Sequence, residues 1–173
     1  MRQVEDGIHL PRPGLCVAVT PDIGAAEMPE GLDDRTLDYI ERARAVFDGI
    51  ARISGQLAGL LILAAAGARS AQGHPMFALI EEARDEVVSA LAALRPTEAA
   101  RHHHRHLMRA ARALSKAVEA AARDLHRWDG PMMEDVTQAL RHANQQLQWA
   151  TRALPGFAVV DLRQSCCAMH IKI

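Results

Sequence analysis

Four of the nine histidines stand within five residues, in Arg101-His102-His103-His104-Arg105-His106. On a helix, His102 and His106 are four residues apart and stack one turn over the other, so both imidazoles can reach one divalent ion from a single face. Two ligands make a surface-type chelate, whereas a closed structural site needs about four. A second donor cluster lies near the C-terminus in Cys166, Cys167, Met169 and His170. Thiolate, thioether and imidazole together suit Cu(I) or Zn(II). Cys16, near the other end of the chain, can add a thiolate if the two ends meet. The alternative for the cysteines is packing as small apolar side chains, and for His102 and His106 ordinary solvation. A Cys–His nucleophile pair, Cys167 with His170, is arithmetically possible and would define a cysteine-dependent enzyme.

Absent patterns narrow the chemistry. No Glu-x-x-His occurs, which di-iron carboxylate bundles require in two copies. Nor is there a His-Glu-x-x-His, a phosphate-cradling G-x-x-x-x-G-K-[ST] or a Gly-rich dinucleotide turn. Three cysteines, two of them adjacent, do not form a secreted disulfide framework. A formal net charge of -1 and an aromatic content of 3% leave little to steer or stack nucleic acid, so a dedicated nucleic-acid role is not expected.

The elements that must position these donors read as helices. Alanine- and leucine-rich, aromatic-poor composition suits close-packed helices better than sheets. A first helix is predicted to begin at Asp33 or Asp34, either able to cap free N–H groups. Its seam is Ile40, Ala43, Phe47, Ile50, Ser54, Leu57, Leu61 and Ala64. A second, about 75–94, carries Ile80, Ala83, Val87, Ala90 and Leu94, and Arg95-Pro96 ends it. The third, within Thr97–Trp128, has the seam Leu107, Ala111, Leu114, Val118, Ala121, Leu125 and Trp128. Extended backwards, that seam reaches His104, with His103 beside it and with His102 and His106 on the wetter side. Arg101, Arg105, Arg109, Arg112 and Lys116 mark the outer face, where Glu81, Glu82, Asp85 and Glu86 of the second helix are expected to neutralise them. Pro131 opens a fourth helix with the seam Met133, Val136, Leu140, Ala143, Leu147, Ala150 and Leu154, stopped at Pro155-Gly156.

The expected fold is therefore all-α: one domain, an antiparallel four-helix bundle over 33–154. An irregular N-terminal arm (1–32) and a C-terminal tail (155–173) flank it. Leu15–Val19 and the Val/Ile-rich tail favour extended structure and are expected to pair as a short β-ribbon. The apolar run Leu57–Gly67 is shorter than the ~20 residues that span a bilayer, so no membrane span is expected. With no apolar leader in the first residues, the expected location is cytoplasmic. That run is apolar nearly all round and must be covered, centrally or in an oligomer. Gly55 and Gly59, four apart, would permit close helix approach. The function expected is a non-catalytic, homo-oligomeric interaction module acting through Leu57–Gly67. The alternative is soft-metal (Cu or Zn) binding or sensing through Cys166, Cys167 and His170, with Cys16 or the His102–His106 pair.

Overall fold

The computed structural model describes residues 32–67, 74–123 and 130–157. Of these, 84% are helical and none is in a strand, which places the chain in the all-α class. The helices are α1 (Asp34–Ala65), α2 (Met76–Ala93), α3 (Arg101–Ala122) and α4 (Gly130–Ala153). The proposed Leu15–Val19 ribbon lies outside the described residues.

Each helix end has a local cause. Asp33 caps α1, its Oδ1 accepting from Thr36 N at 2.7 Å. These hydrogen bonds hold its carboxyl below the usual carboxylate range. At the other end Gly67 takes a left-handed φ of 78° and donates to the Ala64 carbonyl, while Ala66 donates to Ile62. That αL closure is the reason a glycine serves there. His74 starts α2, its Nδ1 accepting from Met76 N at 3.1 Å. α3 begins four residues later than Thr97 because Thr97 does not act as its cap. Its hydroxyl instead bonds the Thr36 hydroxyl at 2.7 Å and ties the α2–α3 connection to the start of α1.

α1 touches every other helix, α3 and α4 share the most extensive interface, and α2 and α4 do not meet. The core seam of α1 is Tyr39, Ile40, Ala43, Val46, Phe47, Ile50, Ile53 and Leu57. The predicted seams of α3 and α4 are buried within the described residues, Met133 only partly. On α2, Phe77 and Leu91 are buried where the predicted Ala90 is exposed. Alanines dominate the α3 side (Ala110, Ala113, Ala117, Ala120), which lets α4 approach closely. Phe157 folds back past the end of α4, 5.3 Å from Phe47 and 4.1 Å from His103 between ring centroids. Arg44 Nη2 holds the preceding turn by donating to the Gly156 carbonyl at 3.0 Å.

α1 is long and apolar enough to cross a membrane by length and composition, although a core helix of this kind meets the same description. In its C-terminal half, Leu57, Leu60 and Leu61 are buried against the other helices. Ile62 and Leu63 on the same turn are 69% and 45% exposed, so the fold covers one side of the Leu57–Gly67 run and leaves the other open.

Candidate functional site: a histidine cluster between α3 and α4

The histidine run enters the core in a phase different from the one its seam implies. His103 is fully buried and His106 is 7% exposed, while His104 is half-buried and His102 exposed. The assignment of His106 to the wet side, and of His104 rather than His103 to the seam, is therefore corrected. The reason is the breadth of the buried arc. α3 is covered by α1, α2 and α4, so positions 103, 106, 107, 110, 111, 113 and 114 all face protein.

His103 sits against Tyr39, whose hydroxyl is 2.9 Å from Nδ1, and stacks on Phe157. Its Nε2 has no hydrogen-bond partner among the described residues. A neutral ring whose Nδ1–H donates to the tyrosine oxygen leaves only a bare lone pair buried, the less costly orphan. Burial, with lesser contributions from His104 and His106, lowers the His103 pKa to about 4. Burial likewise pushes the Tyr39 phenol up and the His104 imidazolium down. This pair is a structural lock, neutral at ordinary pH.

His106 belongs to a different network. Its Nδ1 lies 2.8 Å from Gln146 Oε1, and its Nε2 lies 3.0 Å from His102 Nε2. Gln146 Nε2 in turn lies 3.4 Å from His142 Nε2. The amide sets the direction. Oε1 accepts, so His106 carries its proton on Nδ1 and presents a bare Nε2, which accepts from His102 Nε2–H. At the other end the amide N–H donates to His142 Nε2. Trp149 closes the cluster, its ring 5.6 Å from His106, and His102, His106, Trp149 and Arg152 line an open cleft of about 540 Å³.

Comparison with known proteins finds no relative: no family model, no curated protein and no solved structure matches the chain.

The Nε2 atoms of His102 and His106 stand close enough together for one ion to reach both. For bonds of about 2.1 Å, a 3.0 Å separation of nitrogens subtends roughly 90–95° at an ion, the angle of square-planar or octahedral rather than tetrahedral coordination. Gln146 orients His106 from behind, as outer partners of metal-bound histidines do. Among the described residues no group of three or more His, Cys, Asp or Glu side chains could hold a metal. Cys16, Cys166, Cys167 and His170 lie outside the described residues.

Sequence reasoning missed Tyr39, Gln146, His142 and Trp149. Gln146 had a signal, since it stands three residues after Ala143 and four before Ala150, a polar side chain on the buried arc of α4. The cross-helix neutralisation of the basic face is also corrected. Among the described residues the ion pairs are Arg42–Asp38, Arg84–Asp85 and Arg101–Glu98, and none joins α2 to α3.

Proposed function

We propose that the chain is an antiparallel four-helix bundle with no catalytic role of its own, acting as a homo-oligomeric interaction module through α1. In this reading the terminal arms pair as a ribbon at one end, and the protein works in the cytoplasm. The observation that carries it is the open side of α1. Gly55, Gly59, Ile62, Leu63 and Ala66 are exposed and uncharged, and a methyl group on Gly55 or Gly59 would meet nothing within 4 Å. A two-fold interface places a patch against its own copy. An uncharged face can do so without like-charge pairs, and paired glycines let two backbones come close. The occupant is therefore a second copy of the chain. Ile62→Glu puts two charges into such an interface and is expected to dissociate it, with the helical content unchanged by circular dichroism. An equally associated Ile62→Glu protein would overturn the assignment.

The His102–His106 geometry supports a second reading, binding of a divalent or soft metal (Cu or Zn) with Cys166, Cys167 and His170, or Cys16, completing the donor set. Binding requires the His102 proton to move from Nε2 to Nδ1, so the ion replaces the His102–His106 hydrogen bond. Equilibrium dialysis of untagged, reduced protein against Zn(II), Cu(II) and Ni(II) tests it. His102→Gln, an exposed change that preserves the core, should weaken binding about tenfold or more. Unchanged stoichiometry in both His102→Gln and the Cys166→Ser/Cys167→Ser double variant excludes the site.

A further inference from the structure

A second concavity lies between α3 and α4, along the same helix faces as the His102–His106 cleft and further toward the C-terminal end of α3. Its volume is about 840 Å³, within the range of small-molecule sites. It exists because the facing residues are small: Ala113, Ala120 and Ala139 make an apolar floor where longer side chains would have filled the space. Arg109, Arg112, Lys116 and Arg123 line it from α3, with Glu119 on the same helix and Asp135 and His142 from α4. None of these four cations is in an ion pair among the described residues, although Arg42, Arg84 and Arg101 elsewhere are. Four cations against two acids leave the groove lining with an excess of two positive charges in a chain whose net charge is -1.

The charges are not evenly spread. With α3 and α4 running oppositely, the His106–Gln146 contact puts His142 near Arg109 and Asp135 near Glu119. One end of the groove therefore holds Arg109, Arg112 and His142 without an acid. The other mixes Glu119 and Asp135 with Arg123. We propose that this groove binds a phosphorylated organic anion of nucleotide size. Its phosphate is taken by the Arg109–Arg112 end through planar guanidinium forks. Its apolar body lies on the alanine floor, and its hydroxyl or amino groups meet Glu119 and Asp135. His142 lines this end and accepts from Gln146, so the bound phosphate borders the hydrogen-bond chain that reaches His106.

Calorimetric titration of the full chain with AMP, ATP and fructose 1,6-bisphosphate tests the assignment, with inorganic tripolyphosphate as the anion lacking an organic body. At least one organic phosphate should bind one per chain in moderate salt. Arg109→Ala/Arg112→Ala should weaken it about tenfold or more. Arg101→Ala/Arg105→Ala removes the same charge from the exposed side of α3 outside the groove and should change affinity less than about twofold. Ala139→Leu, which fills the floor, should weaken the organic ligand while leaving tripolyphosphate unaffected. The proposal is overturned if none of the three organic phosphates binds below roughly 1 mM, if the two arginine pairs lower affinity equally, or if tripolyphosphate binds as tightly as the organic anions.

Discussion

At the scale of single residues, two histidines three positions apart on one helix have opposite characters, and their partners explain it. His103 is sealed between Tyr39 and Phe157 with one nitrogen orphaned, and burial holds it neutral. His106 is also buried, yet both of its nitrogens are engaged, one by Gln146 and one by the exposed His102. The depressed His103 pKa has a definite sign in folding. Below the ordinary value of 6.5 the unfolded chain takes up a proton that the folded chain refuses until pH falls to about 4. Stability is thus full above pH 6.5 and declines between 6.5 and 4, with a contribution on the order of 2–3 kcal/mol from this residue. His104, shifted the same way, acts in the same sense. Urea unfolding at several pH values should show His103→Gln losing much of the wild-type decline across that window. Identical slopes in the two proteins would mean that His103 has the same pKa in the folded and unfolded chain and that burial does not depress it.

At the scale of elements, much was legible beforehand. The Ile40–Leu61 and Val136–Leu154 seams, the start of α1 at one of Asp33 and Asp34, and Pro155-Gly156 as the stop of α4 follow from periodicity and turn chemistry. The histidine phase did not follow, because a seam counted for one neighbour underestimates a helix packed on three sides. A polar side chain such as Gln146 on a buried arc is intelligible only once its partner across the interface is known. Close approach between helices was similarly hidden. Gly49, not Gly55 or Gly59, is where α1 meets another helix of its own chain: a methyl there would lie 2.6 Å from Val87 Cγ2. Valine on a helix has little rotamer freedom to retreat. Gly49→Ala should therefore lower stability by about 1 kcal/mol despite its better helix propensity, and Val87→Ala in the same chain should recover part of that loss. If thermal unfolding shows Gly49→Ala to be stabilising, the α1–α2 contact is looser than described.

At the scale of the whole molecule, the fold divides its apolar surface unequally. Leu57, Leu60 and Leu61 are spent on the core, and the opposite side of the same turns is left uncharged and open at Gly55, Gly59, Ile62 and Leu63. In the proposed assembly a second copy covers that side, while the α3–α4 groove and the His102–His106 cleft stay accessible on other helices. Glycine substitution separates the two roles of α1. In an isolated chain Gly55→Ala and Gly59→Ala should each stabilise by roughly 0.5–1 kcal/mol, whereas in a packed pair they should weaken association. Whether α1 pairs with a second copy is read from mass in solution. Sedimentation equilibrium of the wild-type chain at micromolar concentration should give a multiple of its 18.9 kDa mass, and Ile62→Glu should return it to a single chain. A wild-type protein that sediments as a single chain throughout, or an oligomer indifferent to Ile62→Glu, would contradict the pairing.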